Sequence, residues 1–228
     1  MIARITTALT TVAATAVALT GCGSGSTLGM ASEESVAAVR TLVATHVDTS
    51  QYRIYQVEWL EDRRERKLEN ILSCIEVYYT DRENSDYNLT ITLENGKFVA
   101  GEPLKHSRKM YSYDCSTPLD PSRLDAAYIR TIVEAATALV AGRSDGDAYE
   151  LRSVEKFRFR IEPVDLDRVA RWQRDAAYRK EHERLDVSFA LNYTKKDERT
   201  EYRGRSAITN YYTVPFTADE AGAVSFDD

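Results

Sequence analysis

Residues 87–93 alternate strictly, with Tyr87, Leu89, Ile91 and Leu93 separated by Asn88, Thr90 and Thr92, and Asn95-Gly96 follows before Phe98. Alternation of period two places the apolar residues on one face of a strand. Asn-Gly is the dipeptide best suited to a tight hairpin turn, because both of its residues tolerate positive φ. A chain with this segment contains an antiparallel hairpin with one oily face, and that face needs a second layer to cover it. Further strands are predicted at Tyr52 to Leu60, Ile71 to Thr80, Met110 to Cys115, Leu151 to Ile161, Leu185 to Thr194 and Tyr202 to Val214.

The covering layer is helical. Ser32 followed by Glu33 and Glu34 is a helix start, and Val36, Val39, Leu42 and Val43 form an apolar stripe toward Val47. A second start is read at Asp120-Pro121, after which Leu124, Tyr128, Ile132, Ala135 and Leu139 recur at helical spacing until Gly142. Hairpins and covering helices together specify an α+β fold. The segments repeat in order: 38–43 matches 128–133 in pattern, Tyr52 to Trp59 aligns with Tyr149 to Lys156, and Tyr79-Thr80 aligns with Tyr193-Thr194. Two tandem helix-plus-antiparallel-sheet units are therefore expected, at 32–118 and 119–228, as a degenerate internal duplication. The second carries an insertion at Val164 to Glu183, predicted as one surface helix with Trp172 covering an edge of the core. Repeats of this kind resemble PepSY-type and related inhibitor modules in outline, with no shared motif.

The front of the chain reads as an address. Arg4 precedes an apolar stretch rich in Ala and Thr, which ends in Leu19-Thr20-Gly21-Cys22. This is the layout of a secretory signal, and the last four residues resemble the lipobox of bacterial lipoproteins. The resemblance implies cleavage after residue 21, a diacylglycerol on Cys22, and attachment to the extracytoplasmic face of the cell membrane. Residues 22–31, rich in Gly and Ser, would form a flexible tether. With Cys22 lipidated, Cys74 and Cys115 remain as a pair. Outside the cytoplasm such a pair is expected to form a disulfide.

Chemistry is harder to find. The chain carries 30 Lys and Arg against 36 Asp and Glu, a net charge of -6 that argues against nucleic acid as a partner. His46, His106 and His182 occupy no catalytic frame; His182-Glu183 opens like a zinc-protease helix, but Asp186 stands where the second histidine is needed. Asp145, Asp147 and Glu150 lack the full spacing of a calcium loop, so neither a metal nor a cofactor is expected. One local pattern stands out. Arg152, Lys156, Arg158 and Arg160 share a strand face opposite Leu151, Phe157, Phe159 and Ile161, with Glu155 breaking the pattern. Arg199, Arg203 and Arg205 continue the basic trend in a neighbouring segment. Such a stripe is either neutralised by cross-strand acids or forms an anion-binding face. Fourteen tyrosines offer rigid contact area, with Tyr211 and Tyr212 among them. The expected function is a non-catalytic binding or adaptor module for an envelope protein or polymer. The alternatives are an enzyme inhibitor that uses a projecting loop at Glu61 to Glu69, or a hydrolase.

Overall fold

The computed structural model describes residues 28–62, 66–198, 201–203 and 206–227. Cys22, Arg199 and Arg205 lie outside the described residues, as do the signal and most of the tether.

Helix α1 (Glu33–His46) starts where the sequence places it: the Ser32 side chain accepts from Ser35 N, and Val36, Val39, Leu42 and Val43 are buried. Strands β1 (Tyr52–Glu61), β2 (Leu72–Asp81), β3 (Asp86–Glu94) and β4 (Lys97–Ala100) follow as an antiparallel meander. Asn95 and Gly96 turn the β3–β4 hairpin at φ 50° and 78°, and Leu89 and Ile91 face the core. A two-residue strand β5 (Leu104–Lys105) pairs with β3.

Helix α2 (Ala126–Ala141) begins later than predicted. Asp120-Pro121 caps a single 3-10 turn, and Asp125 caps the helix proper through Tyr128 N. The buried face is accordingly Ile129, Ile132, Ala136 and Val140, and the predicted stripe residue Leu139 is exposed. Gly142 is the C-cap, as expected. After α2 come β6 (Tyr149–Ile161), β7 (Leu185–Lys195), β8 (Glu201–Arg203), β9 (Ser206–Ile208), β10 (Tyr212–Ala218) and β11 (Val224–Phe226). The single strand predicted at Tyr202 to Val214 is thus a small β8–β9 hairpin followed by β10.

The two halves share one sheet, ordered β11-β10-β7-β6-β1-β2-β3-β4, with β1 antiparallel to β6 at the join. Each half supplies a helix followed by four strands of this order, and residues of both halves enter one hydrophobic core. A row of paired side chains crosses it: Phe226, Phe216, Phe189, Phe157, Trp59, Ile75 and Ile91 are successive register partners. Ring centroids along the aromatic part lie 5.3, 5.3, 5.9 and 5.1 Å apart.

Three expectations are corrected. Residues 28–31 belong to the fold rather than to a tether. Met30 is fully buried, its carbonyl accepts from Trp59 Nε1 at 3.1 Å, and Leu72 N donates to Leu28 O at 2.8 Å. The insertion forms two short helices, α3 (Val169–Arg174) and α4 (Ala176–Glu181), because Asp175 ends one and caps the next. Trp172 does pack there, against the small cluster of Cys115, Val164 and Tyr178.

The third correction is the disulfide: Cys74 and Cys115 are not joined. Met110 to Cys115 is no strand but a segment held to the insertion by Ser112 N→Val164 O and Leu166 N→Met110 O. The neighbouring Ser116 carbonyl accepts from Arg53, whose register partner is Thr80. Thr80 lies six residues along β2 from Cys74, roughly 20 Å at strand rise, far beyond the reach of a bridge.

Gly146, between α2 and β6, is required by close approach. A Cβ there would meet the backbone carbonyl of Val140 at 2.2 Å and that of Ala141 at 2.7 Å, whereas at Gly142 the nearest atom would be 3.4 Å away. Gly146→Ala should therefore cost about 2–3 kcal/mol of unfolding free energy and Gly142→Ala less than about 1 kcal/mol, read by denaturant titration.

Candidate functional site

Helices α1 and α2 pack over one face of the sheet. On the other, one register row runs Thr90, Glu76, Glu58, Arg158, Ser188, Thr217 and Ser225 from β3 to β11. The row changes character at the join between β1 and β6, from carboxylates on the first half to a guanidinium and hydroxyls on the second. Thr217 Oγ1 and Ser225 Oγ are hydrogen-bonded at 3.0 Å, which aligns the hydroxyl end.

The predicted basic stripe divides. Arg152, exposed near a β6 irregularity, pairs with Glu150 at 3.4 Å. Arg160 is half-buried and held by Glu162 at 2.7 Å and Gln56 Oε1 at 3.5 Å. Lys156 stands in register with Leu60 and Ala190, and Arg158 with Glu58 and Ser188. Neither Lys156 nor Arg158 makes an ion pair or side-chain hydrogen bond among the described residues. Arg203 lies on β8, apart from this stripe in the sheet order. A shallow groove of about 680 Å³ runs along this half of the face, where three arginines, Arg158, Arg160 and Arg184, and three carboxylates, Glu162, Asp186 and Asp219, line it together with Ser188, Thr217 and Ser225. Arg184 is paired with Asp186 at 3.0 Å. Arg158 is thus the guanidinium of this floor left to meet a ligand.

Buried polar networks lie toward both ends of the face. Toward the end of β1, the Glu61 carboxylate is fully buried: Ser153 Oγ and Asn192 Nδ2 donate to its Oε1 at 2.7 Å each, Asn70 N donates to its Oε2 at 3.2 Å, and Lys67 Nζ lies 3.4 Å away. Lys67 also bonds Glu155, and Asn192 reaches Glu155 at 3.0 Å. Glu155 can take part because it sits at a register shift between Val154 and Lys156, which turns it out of the strand's alternation. Sequence reasoning noted Glu155 as a break in the pattern, and a bulge was the structural meaning of that break. The hub itself joins residues 131 positions apart and had no local sign.

Toward the start of β1, Tyr55 packs edge-on against Tyr111 at 5.2 Å. Burial holds the Tyr55 and Tyr78 phenols well above the usual range. Asp86 is buried with its Oδ2 accepting from Met110 N at 2.9 Å, and burial pushes its carboxyl up. His182 is structural: its Nδ1 bonds the Glu162 carbonyl at 2.8 Å and its ring lies against Tyr178. Asp145, Asp147 and Glu150 do not converge, and no group of metal-ligating side chains occurs among the described residues. No helix of the described residues is long and apolar enough to cross a membrane. Comparison with protein-family models, with curated proteins and with solved structures finds no match to this chain.

Removing the buried Glu61 carboxylate leaves Ser153 and Asn192 without the acceptor they share. Glu61→Ala should lower unfolding free energy by about 3–5 kcal/mol, and Glu61→Gln by less because the amide can still accept. A second outcome follows from the phenols on the helix side. Burial among its neighbours Tyr52 and Tyr87 pushes Tyr79 up to about 12, and burial with Asp219 nearby does the same for Tyr128. The unfolded chain releases these protons near pH 10, before the folded chain does, so stability should fall as pH rises from about 10 to 12. Ultraviolet titration of phenolate alongside circular dichroism reads both effects.

Proposed function

We propose that this chain is an extracytoplasmic lipoprotein, anchored through Cys22, whose folded body is a non-catalytic binding module for an anionic envelope polymer. The observation that carries the reading is Arg158. It is half-buried on the floor of an open groove, forms no ion pair among the described residues although Glu58 is its cross-strand neighbour, and is followed in register by Ser188, Thr217 and Ser225. A guanidinium in line with a row of hydroxyls offers charge and hydrogen bonds to a repeating acidic, hydroxylated chain. Electrostatic attraction of this kind is local and operates against the net negative charge of the protein.

The carboxylates of the same face are consumed differently. Glu61 and Glu155 are committed to Lys67, Ser153 and Asn192, which suits a structural clasp better than a reacting pair. The inhibitor alternative calls for a projecting loop at Glu61 to Glu69. Residues 63–65 lie outside the described residues, and the described remainder is tied down by Lys67 and by the Arg66–Glu69 pair at 2.8 Å. Internal duplication forms part of the proposal. Its support is the identical order of a helix and four strands in each half, with β1 beside β6 at the centre of the sheet.

The test is a titration with inorganic polyphosphate at low and physiological salt. Wild-type protein should bind, more weakly at higher salt as screening shortens to about 8 Å. Arg158→Ser should reduce affinity at least about fivefold while leaving stability within about 1 kcal/mol, since no protein partner is lost. Superimposable curves for the two proteins would reject the groove as the site. Cys22→Ala should separately shift the protein out of the membrane fraction or block its processing.

A further inference from the structure

The helix-covered face carries a second concavity, independent of the groove, where α2 ends and leaves the start of β6 and β10 uncovered. It has a volume of about 200 Å³ and is walled by Tyr149, Tyr193, Tyr212 and Phe226, with Arg143 and Asp145 at its lip. Comparable apolar cavities of ~150 Å³ hold a benzene ring.

The walls are arranged rather than scattered. Tyr193 and Tyr212 are register partners on β7 and β10, and Phe226 is the partner of Phe216 on β11. Tyr149 and Tyr212 meet edge to face, with centroids 5.5 Å apart and planes at 87°. The Tyr193 hydroxyl is buried and has no hydrogen bond of standard geometry among the described residues, although Thr137 is near enough to temper the rise of its pKa on burial. Burying an aromatic box behind a polar lip suits a compact cation, because ring faces attract positive charge without binding the water that a carboxylate would. One of these faces already draws a cation: the Arg143 guanidinium lies 5.4 Å from the centroid of Phe226. Arg143 makes no ion pair among the described residues, which leaves it able to take an anion. The Asp145 carboxylate makes no capping hydrogen bond to the short helix behind it. A box of rings with one acid and one unpaired base at its mouth matches a ligand that carries both charges.

We propose that this pocket binds a quaternary-ammonium zwitterion of the phosphocholine class, with the trimethylammonium group among Tyr149, Tyr193, Tyr212 and Phe226 and the phosphate on Arg143. The neutral carbon isostere, 3,3-dimethylbutyl phosphate, has the same shape and anion without the cation. It separates attraction of charge to rings from simple filling of an apolar space.

Calorimetric titration of the whole chain with phosphocholine should give saturable binding at one site, at least tenfold weaker for 3,3-dimethylbutyl phosphate. Tyr212→Leu, a change at a largely exposed residue, should weaken both phosphocholine and choline at least fivefold. Arg143→Gln should weaken phosphocholine and leave choline unchanged. Absence of saturable phosphocholine binding by folded wild-type protein, equal binding of the isostere, or indifference to Tyr212→Leu would each overturn the assignment. The source is read by competition: phosphatidylcholine vesicles that displace phosphocholine, where phosphatidylglycerol vesicles do not, assign a lipid headgroup. Displacement by neither assigns a free solute.

Discussion

The structure depends on the pairing of Trp59 with Phe157 across β1 and β6. Among the described residues, these two lie at the one strand pairing that joins the meander of the first half to that of the second. Their rings belong to a continuous row from Phe226 to Trp59, each member fully or nearly buried under the helices except the edge residue Phe226. Aromatic contacts of this spacing contribute about 0.5–1.5 kcal/mol each beyond the burial of their area. The row also fixes register, because a slip of one residue in any strand would turn its ring to the opposite face. Trp59 is held from above as well, by the bond from its indole to the Met30 carbonyl, so the chain leading into α1 is fastened to the same centre.

Fixing that register dictates what the opposite face can do. Since alternate residues share a face, the placement of Phe157 and Phe159 in the core sets Arg158 and Arg160 on the far side, beside Ser188 and Asp186 of β7. The bulge at Glu155 shifts the pattern just before this point and delivers a carboxylate to the Glu61 hub. A buried carboxylate with three hydrogen-bond donors and a lysine is tolerable where an isolated one is not, since its charge is offset on every side. The hub and the groove are therefore two consequences of one strand: β6 supplies the clasp at its start and the binding floor farther along.

Much of this was legible in short stretches of sequence. The β3–β4 hairpin announced itself through Tyr87 to Leu93 and Asn95-Gly96, and α1 through Ser32 and the valine stripe, because alternation, caps and turns are local physics. The stripe from Lys156 to Arg160 was legible for the same reason. Pairing of β1 with β6 was not, since nothing in either strand says which edge it will meet across a hundred residues, and the α+β class was therefore read as two units instead of one shared sheet. The Cys74–Cys115 bridge failed on the same ground: counting thiols gives a pair, but only the path of Met110 to Ser116 toward the insertion shows that the pair is far apart. Leu28 to Ala31 looked like linker because a buried Met30 beside glycines has no periodicity to betray it.

The claim most open to direct test is that the two meanders fold as one body through the β1–β6 seam. Native-state amide hydrogen exchange across a series of low denaturant concentrations measures it, because amides that open together share one free energy and one denaturant dependence. The core amides of β2 and β3, such as Val77 and Leu89, should converge with those of β7, such as Phe189 and Leu191, on a single global opening. Two separate isotherms, one for each meander, with the second half still protected when the first has exchanged, would contradict the account.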